Sequence, residues 1–512
     1  MTPAPPATQH GGNGWRRPGV AAWIAGLLTI YVAFSVIGWR RTLINDEIWY
    51  LINAALPFDQ FLATLLLDLT HPPLMYVLDR QAMNAFGHTD TVVKTMVVML
   101  GASSLAAFTV LSSLVVDRWR LASALFGTAY LQLGGVPNLA RGYSLGLLLT
   151  VVALLFWELW RRRPRTLLLV SWAAVMIALV YTHYVGILLL LPFVIANWWY
   201  GHRPWLFAIV ACAVAASFLP WFFAVLPVYL SRGLGENLGW ITLSPPVILA
   251  TLPFHVLTYL PSGWNPLGEN DWPRSLAGKQ VLVIGALAVH AMLGVLVWRR
   301  SHGLWPPTAD RATRRVWFWS ALLFLVIPTL ALFLFSVSVH PTLDARFVAF
   351  VLPLYWLLVA LAVELGGPPV RRVVYLVVVP WVLVSVAVPL ARVVKGGLHS
   401  SVAGVAREIR PGDLVLAERL AGPQVYWEWT RALARNEPIV IVSHLRPLNT
   451  PREFPLRRLD EVNLKATDRV WFFWTRHNPD NIAEIRAYIV NHGFREARQH
   501  SAAYLTVFDR QR

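Results

Sequence analysis

Residues 142–163 read GYSLGLLLTVVALLFWELWRRR, and Arg141 stands immediately before them. A helix needs about 20 mostly apolar residues to cross the hydrocarbon core of a bilayer, and this run supplies them. Arginine bounds it on both sides. Working outward, the pattern recurs at 19–38, 91–116, 121–137, 166–182, 184–200, 204–228, 281–298, 316–337, 347–364 and 373–391. The sequence therefore predicts a polytopic α-helical membrane protein with about 11 transmembrane helices.

Composition agrees. Of 512 residues, 56% are hydrophobic and 14% charged, where a soluble chain carries about 25% charged residues. The net charge of +17 superficially suggests a nucleic-acid binder. Most of the surplus arginine sits in short loops between apolar runs, where it orients spans and meets anionic headgroups. With no accompanying recognition motif, nucleic acid is not an expected partner, whereas membrane lipids are. The single cysteine, Cys212, excludes an intramolecular disulfide and a cysteine-based metal site. Residues 1–18, rich in Pro and Gly, read as a disordered cytoplasmic tail, and the first run is long enough to stay as an anchor.

Starting that tail in the cytoplasm and alternating sides puts Arg16-Arg17, Arg118, Arg120, Arg161-Arg162-Arg163, Arg203, Arg299-Arg300, Arg314-Arg315 and Arg371-Arg372 in inner loops. This is the positive-inside distribution, with Arg40-Arg41 as its exception. Two outer loops are long. The first, about 39–90, holds Phe58–Leu69, and the second, about 229–280, holds Val247–Leu260. Both stretches are too short to span and suit helices lying along the interface.

After about residue 395 charge rises and apolar runs shrink to strand length: Asp413–Ala417, Pro438–Ser443, Arg469–Trp474 and Tyr504–Phe508. Helical patterns at 421–435 and 479–492 alternate with them, which predicts a small C-terminal α/β domain. The expected organisation is a tail over 1–18, a membrane-embedded catalytic part over 19–394 and an extracytoplasmic domain over 395–512.

With this topology the polar residues least at home in such a chain gather on one face. Asp46, Glu47 and His71 lie in the first outer loop; Arg141 and Tyr143 sit at the turn before the fourth span. His183-Tyr184 occupy the tight turn between the fifth and sixth spans, and His340, Asp344 and Arg346 the outer end of the ninth and tenth. Each has an ordinary reading. A terminal arginine snorkels to headgroups, tyrosines line the interfacial belt, and a histidine in a turn can simply pack. Their convergence from separate stretches is the stronger signal, because ionisable groups at this depth mark functional cavities. A carboxylate there can act as general base toward an acceptor hydroxyl. Guanidinium groups can hold a leaving phosphate, and an apolar groove can hold an isoprenoid tail. His255, Trp264 and Trp272 in the second loop are weaker candidates.

Taken as a set, Asp46-Glu47 with Tyr50, His71-Pro72-Pro73-Leu74, Arg141-Gly142-Tyr143, Thr182-His183-Tyr184 and Asp344-Ala345-Arg346-Phe347 followed by Pro353 resemble the GT-C superfamily of polytopic glycosyltransferases. The nearest branch is the bacterial relatives of protein O-mannosyltransferases and of the lipid A aminoarabinose transferase. The resemblance covers about residues 19–391; the family often has Arg-Tyr where this chain has Arg346-Phe347. It implies inverting transfer of a sugar from a polyprenyl-phosphate donor to a lipid, polysaccharide or protein acceptor. The site would lie on the extracytoplasmic face of a bacterial inner membrane. Asp46 would be the base, and Glu47 would orient it or meet the acceptor. Arg141 and Arg346 would bind the carrier phosphate, with His71, Tyr143 and His183 contacting sugar or phosphate. No cofactor is expected. Some relatives use a divalent metal at the first-loop acid, but hard cations want several oxygen ligands and few carboxylates lie outside. A lipid-linked glycan polymerase or ligase is the alternative among enzymes. A lipid or sugar transporter or flippase is the alternative outside them, though transporters place ionisable groups near the midplane of repeated halves.

Overall fold

The computed structural model describes residues 19–38, 43, 45–67, 71–131, 138–232, 309–339 and 349–378. In the C-terminal part it describes 402, 405, 408–418, 421–427, 429, 439–442, 456–474, 479–500 and 505–511. The expected tail, the loop helix 247–260, the span 281–298 and most of the span 373–391 lie outside the described residues.

The bundle is built from α1 (Val20–Gly38), α2 (Asn45–Ala54), α3 (Phe58–Leu67), α4 (Leu74–Phe86), α5 (Asp90–Val115), α6 (Trp119–Tyr130), α7 (Gly142–Arg162) and α8 (Thr166–Thr182). It continues with α9 (Val185–Leu188), α10 (Leu190–Tyr200), α11 (Pro204–Ser217), α12 (Leu219–Arg232), α13 (Ala309–Ser338) and α14 (Leu352–Val373). Among the described residues three helices are long and apolar enough to cross a membrane: Asp90–Val115, Gly142–Arg162 and Thr313–Ser338. A fourth arises if α11 and α12, bent by 40°, count as one broken span. Val20–Val36, Thr166–Thr182, Val185–Tyr200 and Ala349–Leu365 are apolar but shorter. Two expected spans are thus interrupted, 184–200 at Leu189 and 204–228 at Phe218. Trp157, Trp172, Phe193, Trp317, Phe324 and Trp356 fill the bundle's interior. Leu167, Val170, Trp205, Ile209, Phe223 and Leu330 face outward, exposed. An apolar exterior around an apolar interior is what a bilayer demands, and the chain is a multi-pass membrane protein.

The helix expected at 58–69 is described as α3, and it is flanked by two more, α2 and α4, so Glu47 stands on a helix, as does the backbone of Asp46. Arg80 of α4 ties α2 down by donating to the carbonyls of Ala54, at 3.0 Å, and Leu56. The Ala54 carbonyl is one that the end of α2 leaves without a partner inside the helix, and that of Leu56 follows just beyond it. The Arg80 guanidinium also lies 4.9 Å from the Phe61 ring centroid, which joins α3 to the same corner.

The C-terminal sheet has six strands: β1 (Leu414–Glu418), β2 (Ile439–Val442), β3 (Leu456–Arg457), β4 (Arg469–Phe473), β5 (Phe494–His500) and β6 (Leu505–Arg510). Their order is β3-β2-β1-β4-β6-β5, parallel from β3 to β4, with β6 and β5 added antiparallel. All four expected strands and the helix at 479–492, here α16 (Pro479–Asn491), are present; the helix expected from 421 is described as α15 (Gly422–Trp427). Alternation gives the sheet two faces. Leu416, Val470, Phe472 and Phe508 pack with Ile485 and Ile489 of α16. Val415, Ala417, Ile441, Trp471 and Phe473 face the other way and share one core with Ile48, Leu51, Ile52 and Ala54 of α2 and with Val93 and Val97 of α5. Trp427 adds a hydrogen bond from Nε1 to Asp90. The C-terminal domain therefore rests directly on the helix that carries Asp46 and Glu47.

Candidate functional site

The site forms where α2, the start of α4, the start of α7 and the α8–α9 turn meet. Two glycines permit the approach. A Cβ on Gly142 would stand 2.8 Å from the carbonyl oxygen of Thr182, and one on Gly186 would stand 2.9 Å from that of Leu179. Both distances are sub-van-der-Waals, so Gly142 lets the Arg141-Gly142-Tyr143 segment approach the end of α8, and Gly186 lets α9 fold back tightly on α8 around His183-Tyr184.

Arg141 is the centre of the group. It is buried and directly precedes the first turn of α7, in extended backbone conformation. Its guanidinium is 2.8 Å from Nε2 of His71. Arginine can only donate, so His71 accepts on Nε2 and is neutral with its proton on Nδ1. The same guanidinium lies 5.6 Å from the ring centroid of Tyr50 and 5.3 Å from that of Tyr143. These are cation–π contacts, which orient a guanidinium without neutralising it.

Around it the rings form a continuous wall. Tyr50 stacks on Tyr76 at 3.9 Å and meets His71 edge-on at 5.5 Å. His71 reaches His183 at 6.1 Å, and His183 lies 5.4 Å from Tyr143. His183 accepts from the amide of Val185 on Nδ1, at 3.3 Å. Burial, reinforced by His71 and Arg141, holds its pKa well below the ordinary imidazole range. At neutral pH His183 is therefore an uncharged ring, not a second cation.

Glu47 is fully buried, and its Oε1 accepts from the amide of Ala140 at 2.7 Å. That bond joins α2 to the residue before Arg141. Sequence reasoning missed Phe350, whose ring lies 4.9 Å from His183 and 6.1 Å from Tyr143. Through it the chain just after Arg346 reaches the wall. Its only sequence signal is its place four residues beyond Arg346. Asp79, fully buried on α4, was missed as well.

The structure thus brings together Glu47, His71, Arg141, Tyr143 and His183, while Tyr184 stands at the edge, where its hydroxyl accepts from Trp221 Nε1 at 3.3 Å. Asp46 stands in the first turn of α2, and its side chain lies outside the described part. His340, Asp344 and Arg346, and the weaker candidates His255, Trp264 and Trp272, also lie outside the described residues. Among the described residues no three His, Cys, Asp or Glu side chains are grouped to hold a metal ion. Chemically, the arrangement offers a guanidinium at a helix N-terminus, a combination suited to an anionic oxygen, within walls that favour a sugar or isoprenoid.

No protein-family model matches the sequence, and no curated protein matches it either. Among solved structures the chain is similar to the crystal structure of ArnT from Cupriavidus metallidurans bound to undecaprenyl phosphate. The identity is 14%, the match covers 94% of this chain and 98% of that one, and the TM-score is 0.50. The chain shares the overall fold of that protein.

Proposed function

We propose that this protein is an inverting glycosyltransferase that moves a sugar from a polyprenyl-phosphate donor to an acceptor of the bacterial cell envelope. The observation that carries the reading is Arg141. It sits at the N-terminus of α7, is held by neutral His71 and lies against the Tyr50 and Tyr143 rings. The fold shared with ArnT, a protein crystallised with undecaprenyl phosphate, supports the same ligand class here.

In this reading Asp46 removes the proton from an acceptor hydroxyl. The freed oxygen lone pair attacks the anomeric carbon from the face opposite the phosphate. The bond from that carbon to the phosphate oxygen breaks, and its electron pair leaves on the polyprenyl phosphate. Arg141, the first amides of α7 and Arg346 stabilise the charge as it develops. Glu47 holds the Ala140 amide and so sets Arg141. The site faces the extracytoplasmic side of the inner membrane, and the C-terminal domain, packed on α2, lies on that side with it.

Ligand-induced stabilisation tests the reading. A ligand that binds only the folded chain raises its melting temperature, by an amount that grows with the logarithm of ligand concentration once that exceeds Kd. Undecaprenyl phosphate should raise the Tm of detergent-purified wild type, and Arg141→Ala should lose that rise. Equal rises in both would remove Arg141 from the phosphate site.

A further inference from the structure

Helices α2 and α4 hold Arg141 from two sides. From α2, Glu47 accepts from the Ala140 amide at 2.7 Å. From the segment leading into α4, His71 accepts from the guanidinium itself at 2.8 Å. Whatever sets the spacing of these two helices therefore sets Arg141. One end of their seam is pinned by Arg80, whose guanidinium is engaged by the Ala54 and Leu56 carbonyls.

Asp79 lies next to Arg80, on the face of α4 that also buries Met75, Tyr76 and Met83. It is completely buried, and neither carboxyl oxygen has a hydrogen-bond partner among the described residues. An ionised carboxylate in such a place has lost its water and gained nothing in return. A neutral carboxyl avoids most of that cost. No motif in the sequence accounts for an acid at this apolar position.

We infer that Asp79 is a positioning residue of the transfer site, a carboxyl buried in the α2–α4 seam whose uncharged form lets the two helices close behind Arg141. The inference rests on the reading of Arg141 as the group that meets the donor phosphate. Four elements pack against α4. Among the described side chains they carry Glu47 and Tyr50 on α2, Asp90 and Lys94 at the start of α5, Arg141 and Tyr143 at the start of α7, and His183 at the end of α8. Asp90 and Lys94 pair with each other at 3.7 Å. Burial first, and Glu47 second, hold the Asp79 pKa well above the ordinary carboxylate range. Ionising Asp79 sets an anion with no hydrogen-bond partner among the described residues into this buried seam. The helices then part or admit water, and His71 moves away from Arg141.

Two pH profiles of the full-length protein test this, one needing no substrate. Folded Asp79 keeps a proton that the unfolded chain releases above about pH 4. Wild-type stability should therefore fall as pH rises from there toward the raised pKa. Asp79→Asn cannot titrate, and its curve of Tm against pH should be flatter over that window. If that variant folds poorly, Asp79→Leu should flatten the curve equally. In the second profile, wild-type kcat/KM should fall on the alkaline side relative to its own neutral value. Asp79→Asn should lose that fall, and Asp79→Glu should restore it. Stability slopes equal to wild type in both variants would overturn the inference. So would a flattened stability curve with an unchanged alkaline fall in kcat/KM, since Asp79 would then be buried without positioning anything. Failure of the wild type to consume any donor would instead defeat the proposed function, and the substrate-free profile would still decide whether Asp79 is held neutral.

Discussion

The two ends of α7 place buried charge in opposite circumstances. Near its C-terminus Glu158 is fully buried and receives hydrogen bonds from Arg161 at 2.9 and 3.0 Å, from Arg162 at 2.5 Å and from Trp317 Nε1 at 2.9 Å. Arg162 also donates to the Leu114 carbonyl, at 2.6 Å. At the N-terminus Arg141 is oriented by an uncharged imidazole and two aromatic rings. One end answers an anion with the chain's own cations, which also suit the negative pole of the helix. The other end carries a cation beside the positive pole of the helix, its guanidinium oriented by a hydrogen bond and ring contacts. In the proposed function that orientation serves the donor phosphate, whereas the cluster around Glu158 serves the fold.

The largest expected effect lies at the matched end. Glu158→Ala strands Arg161 and Arg162 and should cost about 3–5 kcal/mol of stability. Unfolding in detergent would measure it, and turnover per folded molecule should be unchanged. At the other end the pattern should invert. Arg141→Ala should lower kcat/KM by about 10²-fold or more through loss of oxyanion stabilisation, with little change in Tm. If either variant behaved like the other, the contrast between the two ends would collapse.

In the second turn of α7 a smaller change sharpens the comparison. A Cβ on Gly146 would collide with the Phe350 ring, which packs against His183. Gly146→Ala should therefore cost about 1–3 kcal/mol by overpacking and should also displace one wall of the site. Both unfolding and kcat/KM should register it, where the variants at the helix ends move one or the other. The smallest expected effect is at the join to the C-terminal domain. Trp427→Phe removes the bond to Asp90 and should cost about 1 kcal/mol, read as a small fall in Tm.

What was legible in the sequence follows from the physics of each element. The long helices announce themselves because about 20 apolar residues between arginines have few other uses. Four strands of the C-terminal domain were legible as short apolar runs. The edge strand β5 was not, because it reads FREARQH, and a charged edge is how a sheet avoids pairing with other chains. Helices α2 and α4 were hidden for a different reason. They are short and mixed, and their buried faces are divided between the bundle and the C-terminal domain, so no single stripe stands out. The candidate residues of the site were found by their improbability in an apolar chain. Their bonds were not, since Glu47 meets a backbone amide 93 positions away, and Asp79 and Phe350 carry no motif at all.

Transfer from a lipid phosphate with Asp46 as base can be tested by supplying purified protein with a panel of polyprenyl-phosphate sugars and an envelope extract, and following each donor in wild type and Asp46→Asn. Wild type should consume one donor, which names the sugar, and Asp46→Asn should leave it intact. Consumption at the same rate in both would contradict the assignment of the base, and a wild type that consumes none across the panel would contradict the transferase reading itself.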